Sequence, residues 1–372
     1  MEILTGLWTY VIPFLVVLTI LVFVHEYGHY WIARRCGVRV EVFSIGFGRE
    51  IFGWTDKAGT RWKFSILPLG GYVKMFGDAD PASMPSSDLA TMTPEEQDQA
   101  FHRKTLGQRS WIVAGGPLAN FIYAFFAFLL LFWVYGERVA SEGEPTVVGL
   151  VQPASAAAKA GLEVEDRILA IEGQPITSFD EIVGLVQGSA EKPLEFLVQR
   201  GEEELRLTVT PELHTLREES GEEREIGRIG IAGNVRFEYQ PVGPLDAVWM
   251  AGAETARVTG MILQFVGEFL TGARDSKELA GPLGIAQMSG QMADRGFDEI
   301  IFWTALLSIN LGLLNLFPIP MLDGGHLLFY AIERVRGRPL GERAQEYGFR
   351  IGLALVLGLM LFATWNDILR LI

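Results

Sequence analysis

The sequence is poor in cysteine, histidine and positive charge. Its single cysteine, Cys36, excludes an internal disulfide and a cysteine-rich zinc site. The 45 acidic residues outnumber the 31 basic ones, which gives a formal net charge of −14 over 372 residues. Because binding to phosphate groups requires a basic surface, this balance excludes a nucleic acid as a partner.

Long apolar runs are abundant. Hydrophobic residues make up 49% of the chain, which includes 24 phenylalanines. A helix needs about 20 apolar residues to cross a bilayer. Four segments meet this requirement: 8–32, 110–135, 300–331 and 350–366. We therefore predict a polytopic α-helical membrane protein whose four transmembrane helices lie in a lipid bilayer.

A fifth apolar segment, 247–270, carries Glu254, Arg257 and Glu268. Charged side chains are costly at the centre of a bilayer. We therefore predict an amphipathic helix that lies on the membrane or on a neighbouring domain, within a helix and linker region at 240–297.

Basic residues beside the predicted spans indicate the orientation of the chain, since such residues tend to stay in the cytoplasm. They are Arg34, Arg35, Arg39, Arg103, Lys104, Arg109, Arg334, Arg336, Arg338 and Arg343. Both termini and the acidic segment 137–297 are therefore predicted to lie outside. The N-terminal sequence MEILTGLWTY lacks a basic region and a small-residue cleavage site, so we expect the first span to be retained.

Two regions between the spans have predicted structure of their own. Residues 36–80 alternate apolar and polar positions with glycines between them, which indicates strands at the cytoplasmic face of the membrane. A polar loop follows at 81–106. Residues 144–212 combine short strand and helix patterns and have the size of a small domain, so we predict an inserted α+β module.

The sequence HEYGH at 25–29 is an H-E-x-x-H motif at the end of the first span. On a helix, His25 and His29 project from one face and can bind one ion. Glu26 lies beside them, where it can take a proton from a water molecule that zinc activates. Ionisable residues are rare within a membrane span, so three of them on one helix indicate a function.

A catalytic zinc ion usually has three protein ligands, so a third is required. His102 and His214 lie in regions outside the spans and are poorly placed. Asp323 is an acidic residue in the apolar third span and is the first candidate. His326, three residues further on, is the second candidate.

The backbone around Asp323 is predicted to be irregular. Pro318 and Pro320 cannot continue a regular helix, and the glycines at 324–325 permit tight turns. Such backbone is tolerated at membrane depth where it lines a cavity. Asn315, upstream of the break, can hydrogen-bond a substrate carbonyl or oxyanion, or alternatively a neighbouring helix.

Four sequence blocks resemble the site-2 protease family of intramembrane zinc metalloproteases, most closely its bacterial regulator-of-sigma-E type. The blocks are HEYGHYWIARRCGV, FSIGFGREIFGW with FSILPLGGYVKMFGD, AGGPLANFIYA and NLGLLNLFPIPMLDGGH. The resemblance implies one Zn²⁺ per chain, held by His25, His29 and Asp323. It also implies that Glu26 is the catalytic base and that Asn315 contacts the substrate.

The same resemblance implies a role for the region after the first span. Residues 40–76 would form a membrane-associated β element that holds the substrate as an added strand. Gly70, Gly71 and Tyr72 are its candidate substrate-binding residues. For Tyr72 the alternative is an aromatic anchor at the membrane interface.

The inserted module resembles a PDZ domain. The stretch VVGLV stands at the usual carboxylate-loop position, and AGLEVEDRILAIEG is the most telling part. Well-known members of this type carry two PDZ domains in tandem, whereas we identify one. The resemblance implies a bacterial inner membrane, with the PDZ domain in the periplasm and the active site toward the cytoplasm.

Three functions fit these observations. The first is an intramembrane zinc endopeptidase that cleaves single-span membrane proteins after an outside protease has trimmed them; the resemblance implies anti-sigma factors and remnant signal peptides as substrates. The second is a non-catalytic scaffold whose PDZ module recruits partners, and the third is transport. Glu26 is unnecessary for a scaffold, and four spans without a paired repeat fit transport poorly. The sequence gives no indication of the oligomeric state.

Overall fold

Two stretches of the chain, Met1–Gly136 and Pro241–Ile372, form one structural unit, and the intervening Glu137–Gln240 forms a second. The computed structural model describes residues 7–78, 93–142, 145–152, 155–217, 223–273 and 279–371. Residues 81–92 of the predicted polar loop at 81–106 therefore lie outside the described residues, and the described remainder contains a short helix at Pro94–Gln99.

The elements are numbered in chain order across both units. The first unit contains a π-helical turn (Leu7–Val11), α1 (Ile12–Arg35), β1 (Val40–Thr55), β2 (Arg61–Met75), α2 (Pro94–Gln99), a 3₁₀ turn (Phe101–Arg103), α3 (Leu106–Val134), α6 (Pro244–Thr271), α7 (Pro282–Arg295), α8 (Phe297–Leu316), α9 (Asp323–Arg336) and α10 (Glu342–Leu371). The second unit contains β3 (Glu137–Glu142), β4 (Val148–Val151), α4 (Ala156–Lys159), β5 (Arg167–Ile171), β6 (Gln174–Pro175), α5 (Phe179–Gln187), β7 (Leu194–Arg200), β8 (Glu203–Val209), β9 (Glu212–Arg217), β10 (Glu223–Arg228), β11 (Ile231–Gly233) and β12 (Val235–Gln240).

Four helical segments in the described part of the chain are long and apolar enough to cross a membrane. They are Trp8–Arg35, Leu106–Val134, Phe297–Leu316 and Arg343–Arg370. This confirms the four predicted transmembrane helices, but the third segment is shorter than the predicted 300–331. Phe317 adopts an extended conformation, because a residue that precedes a proline avoids the helical region, and α8 therefore ends before Pro318.

The helices α1 and α3 cross at very short range. A Cβ atom added to Gly28 would collide with the main-chain carbonyl of Gly115, and one added to Gly115 would lie 2.7 Å from the Gly28 oxygen. Glycine is therefore required at both positions, since it lets the two backbones touch. This contact fixes the position of the H-E-x-x-H helix against α3.

The predicted amphipathic helix at 247–270 corresponds to α6. Its buried residues Ala251 and Val258 pack with residues of α3 and α8, among them Phe128 and Ile309. Its charged residues Glu254 and Arg257 pair with each other, and their side chains are 16% and 54% exposed. Small buried residues and a charge pair that neutralises the covered Glu254 explain why α6 lies alongside the apolar helices.

The strands β1 and β2 bend, so that each contributes two segments to one sheet. Residues 40–45 lie between 71–75 and 61–64, as shown by Phe43, which is opposite both Val73 and Trp62. Residues 50–55 pair with the other side of 61–65. Within the described chain, 71–75 pairs on one side only and is an edge of the sheet.

The second unit has its own apolar core. A sheet in the order β6-β5-β7-β8 packs on α5, with Ile168, Phe196 and Val198 fully buried. The buried carboxylate of Asp166 accepts two hydrogen bonds from the guanidinium of Arg200, at 2.7 and 2.8 Å. Burial opposes the ionisation of Asp166, but these bonds hold its pKa below the usual range.

The second unit extends beyond the predicted module at 144–212. The acidic stretch after 212 contributes β10, which pairs with β9, and β11, which pairs with β4. At the boundary, β3 and β12 form a two-stranded ribbon in which Glu137 is opposite Gln240. The chain therefore enters and leaves this unit at one point.

Candidate metal centre and active site

Three potential metal ligands converge where α1 and α9 meet. The Nε2 atoms of His25 and His29 lie 3.2 Å apart, and Oδ2 of Asp323 lies 3.2 Å from the first and 3.4 Å from the second. Ligands at about 2.0–2.1 Å from a tetrahedral zinc ion lie roughly 3.3 Å from one another. Two imidazoles and a carboxylate at these separations therefore fit zinc in both chemistry and spacing.

The broken segment between α8 and α9 carries Asp323 into this position. A Cβ atom at Gly324 would collide with the carbonyl oxygens of Leu316 and Phe317, and one at Gly325 would collide with that of Ile319. Both glycines are helical, so they are needed for this close approach and not for the tight turn that the sequence predicted. The turn residue is Met321, whose φ is +90°, a conformation that a side chain disfavours.

The helix α3 supports the two histidines from behind. Nδ1 of His29 donates a hydrogen bond of 2.9 Å to the main-chain carbonyl of Ile112. This bond accounts for a proton on Nδ1 and turns Nε2 toward Asp323, as a metal ligand requires. A Cβ atom at Gly116 would collide with the His29 ring and lie 2.8 Å from Cε1 of His25, so the ligands fit only against a glycine.

The remaining predicted site residues surround one cavity of about 620 Å³, whose walls come from α1, β2, α3, α8, α9 and α10. Glu26, Asn315, Gly71 and Tyr72 line it together with the three ligands. A Cβ atom at Gly71 would lie 3.2 Å from Cγ of Glu26, so this glycine brings β2 against α1. Gly70 instead packs on the ring of Phe47 and has a φ of +123°.

The other histidines are engaged elsewhere. His326 lines the same cavity, but its ring packs against Phe349 at a centroid distance of 5.4 Å and does not join the ligand group. His102 pairs with Asp78 at 3.0 Å. His214 belongs to the second unit. Of the two candidates for the third ligand, the structure therefore places Asp323 with His25 and His29.

The second unit has a cavity of its own, of about 330 Å³. It lies between α5 and the segment 226–231, with Phe179, Ile182 and Arg228 among its lining residues. The sequence VVGLV, which stands at the carboxylate-loop position in the resemblance to a PDZ domain, is largely β4 and pairs with β11. The segment beside the groove lies beyond residue 212, where the sequence analysis ended the module.

The model of peptidase family M50 matches residues 13–359. This range includes both histidines of the H-E-x-x-H motif and Asp323, and it covers most of the chain. The chain belongs to peptidase family M50.

Relatives of nearly the same extent carry metalloprotease names. The chain is 48% identical to a candidate zinc metalloprotease of Agrobacterium fabrum, over 99% of this chain and 98% of that protein. It is 39% identical to the metalloprotease MmpA of Caulobacter vibrioides, over 98% and 96% of the two chains. It is 35% identical to the regulator of sigma-E protease RseP of Escherichia coli, over 96% and 98%. These findings identify a zinc metalloprotease.

A solved structure is similar to part of the chain. The PDZ domain of the SdrC-like protein from Listeria monocytogenes overlaps 25% of this chain and 90% of its own, with a TM-score of 0.19 and 18% identity.

The family and the four apolar helices together support an intramembrane protease of the inner membrane. This agrees with the first of the three functions considered from the sequence. Scaffold and transport functions receive no support from the family.

Proposed function

We propose that this protein is an intramembrane zinc endopeptidase that cleaves single-span membrane proteins after a prior outside cut. One zinc ion per chain is held by His25, His29 and Asp323, and Glu26 is the catalytic base. The observation that carries the proposal is the convergence of the three ligand atoms within 3.4 Å of one another, inside a cavity walled by apolar helices.

The chemistry is divided between the ion and the side chains. When bound, zinc supplies a Lewis acid that activates water and polarises a peptide carbonyl. Glu26, next to His25 and facing the cavity, accepts the proton of the attacking water and passes it to the leaving amine. Asn315 donates one amide N–H to the Leu311 carbonyl at 3.1 Å, and its second N–H, which has no hydrogen-bond partner in the described part of the chain, can reach a substrate carbonyl.

The sheet edge supplies a way to present the substrate. The edge segment 71–75 contributes Gly71, Tyr72 and Val73 to the wall of the cavity. A substrate segment that pairs with this edge becomes extended, and its peptide bonds are then exposed to attack. We assign Gly70, Gly71 and Tyr72 to this substrate-binding edge. The proposed substrates are the remnants of trimmed membrane proteins, among them anti-sigma factors and remnant signal peptides.

The packing of the helix ends supports the proposed orientation. At one end, Arg109 of α3 pairs with Glu333 of α9 at 2.7 Å, and both belong to the predicted cytoplasmic side. At the other end, α7 contacts the first residues of the described chain, since a Cβ atom at Gly290 would meet Tyr10. The residue that precedes α7, Gly281, donates its N–H to Asp367 in the last turns of α10 at 3.0 Å. We place both termini and the PDZ module in the periplasm, with the active site opening toward the cytoplasm.

A cleavage and metal assay tests the proposal. The full chain in detergent is incubated with a single-span membrane peptide that lacks an outer domain, and bound zinc is measured in parallel. We expect Glu26→Gln to lose about 10²–10⁴-fold in cleavage with zinc retained, and Asp323→Ala to lose zinc. The control is Glu268→Gln, which changes a carboxylate of α6 outside the cavity.

The opposite results would assign the site differently. Full cleavage by Glu26→Gln would show that Glu26 is not the catalytic base. Zinc retention by Asp323→Ala would show that Asp323 is not the third ligand. Substrate capture without cleavage by the wild type would favour the scaffold function.

A further inference from the structure

Asn120 is a fully buried polar residue on α3 that faces the proposed zinc ligands. Its relative exposure is 0%, and its amide nitrogen lies 3.1 Å from Nδ1 of His25. Its amide oxygen is also buried and has no hydrogen-bond partner among the described residues. A buried amide that contacts a ligand with one atom and leaves the other unsatisfied is costly, by about 1–3 kcal/mol for the unpaired oxygen.

The two histidines differ in the group that contacts Nδ1. Nδ1 of His29 donates to the main-chain carbonyl of Ile112, an oxygen that can only accept. Nδ1 of His25 has no such carbonyl, and the partner found for it in the described chain is the Asn120 side chain. A histidine binds a metal through Nε2 only when that nitrogen is unprotonated, which leaves the proton on Nδ1. His25 therefore needs an acceptor at the position of Asn120.

We propose that Asn120 is a positioning residue that fixes the tautomer and ring orientation of His25 through its amide oxygen. The amide oxygen and nitrogen are close to the same size, so a half-turn of the amide places Oδ1 opposite Nδ1–H in the same space. This arrangement supplies the missing acceptor for Nδ1–H of His25, and it moves the amide NH2 group to the position where the oxygen has no partner among the described residues. The proposal rests on the assignment of His25 as a zinc ligand under the proposed function.

The surroundings of Asn120 hold it rigidly. The Ser308 hydroxyl of α8 donates to the main-chain carbonyl of Asn120 at 2.9 Å. On the same helix, Gly312 leaves room for the side chain, since a Cβ atom there would lie 3.3 Å from Cβ of Asn120. An acceptor that is fixed by a third helix orients the imidazole more strictly than a flexible side chain would.

Three variants of the full chain test this role. Asn120→Leu keeps the shape and removes the acceptor, Asn120→Ala removes the side chain, and Asn120→Asp keeps an acceptor oxygen. The control is Tyr123→Phe, which removes a partly buried hydroxyl from the same helix; that hydroxyl bonds Thr304 and contacts no proposed zinc ligand. Zinc release to a chelator is measured for each, and the visible spectrum of the cobalt-substituted protein reports the geometry of the site.

We expect Asn120→Leu and Asn120→Ala to weaken zinc binding by about 10–100-fold and to alter the cobalt spectrum. Asn120→Asp restores binding to near the wild-type value, and Tyr123→Phe leaves it unchanged. Wild-type zinc release and an unchanged cobalt spectrum in the leucine and alanine variants would overturn the proposal. So would an equal loss in Tyr123→Phe, because the effect would then be one of packing.

The metal variants separate this inference from the proposed function. His25→Ala and Asp323→Ala are measured in the same assay, and each is expected to lose zinc. If either retains zinc, the ligand set is wrong, and the proposed function fails together with the inference. If both lose zinc while Asn120→Leu behaves as wild type, only the role of Asn120 fails.

Discussion

At the scale of single residues, the site depends on absent side chains as much as on its ligands. Gly116 leaves room for both imidazoles, and Gly71 lets the sheet edge approach Glu26. Gly28 brings the backbone of α1 against α3. A methyl group added at such a position would collide with its neighbours. The substitution would therefore displace the atoms of the site.

The substitution Gly116→Ala tests this dependence. The added Cβ collides with the His29 ring, so we expect zinc affinity to fall by at least 10-fold and cleavage to fall with it. The matched control is Gly107→Ala in the first turn of the same helix, where a Cβ atom meets nothing within 4 Å. Because alanine favours a helix over glycine by about 1 kcal/mol, the control gains thermal stability and keeps its zinc. Equal zinc affinity in both variants would contradict the prediction.

The sequence predicted the residues that carry the chemistry of the site better than the residues that position them. His25, Glu26 and His29 follow from one motif whose spacing alone sets their geometry, and Asp323 follows from an acidic residue in an apolar span. Asn120 was missed as an individual residue, although it lies in the block AGGPLANFIYA. Its role depends on a contact between residues 95 positions apart, which no local pattern encodes.

At the scale of elements, the fourth spanning helix stabilises the break that carries Asp323. A Cβ atom at Gly352 of α10 would collide with the carbonyl oxygen of Pro320. Phe349, one turn earlier, packs against His326 of α9. The two contacts hold α10 against both the broken segment and the helix that follows it.

We expect Gly352→Ala to push α10 away from Pro320 and to displace the broken segment. Cleavage should fall by about 10-fold or more, since an error of 1 Å in the position of a catalytic group can cost 10²-fold. Gly358→Ala, in the same helix, adds a methyl group with nothing within 4 Å and serves as the control. Kinetic constants and thermal unfolding are measured for both. Unchanged activity in Gly352→Ala would show that the segment is held without α10.

At this scale the sequence predicted the elements that contain long apolar runs and missed an element that has none. Long apolar runs gave the four spans, although the fourth begins at Arg343 and not at residue 350, and Pro318 ends α8 before the predicted end of the third. The strand β10 was missed because its sequence, EREIGR, is charged and has no apolar alternation. It forms because β9 offers a paired backbone, and this requirement depends on tertiary structure.

At the scale of the whole molecule, the metal centre and the inserted module belong to different units. All residues of the proposed site lie in the unit of Met1–Gly136 and Pro241–Ile372. The module is connected through the paired strands β3 and β12, whose outer ends are opposite each other. Removing the module therefore leaves two chain ends that a short linker can join.

We predict that replacing Glu137–Gln240 by a short glycine and serine linker preserves the zinc site. Paired residues in a sheet are separated by about 5 Å, so the linker imposes little strain. Zinc content should equal that of the wild type, and a substrate without an outer domain should be cleaved in a Glu26-dependent manner. Loss of zinc would mean that the module supports the site. A matched variant that keeps the module but carries Asp166→Asn disturbs only its buried ion pair with Arg200.

The division of the ligands between α1 and α9 has a mechanical consequence. The helix of His25 and His29 packs against α3 through the backbone contact at Gly28. Asp323 instead follows the broken segment that contacts α10. Any motion that parts α9 from α1 to admit a bulky chain also draws the carboxylate away from the imidazoles. The packing of α9 against α1 and the completeness of the ligand set are therefore coupled, because the first cannot change without the second.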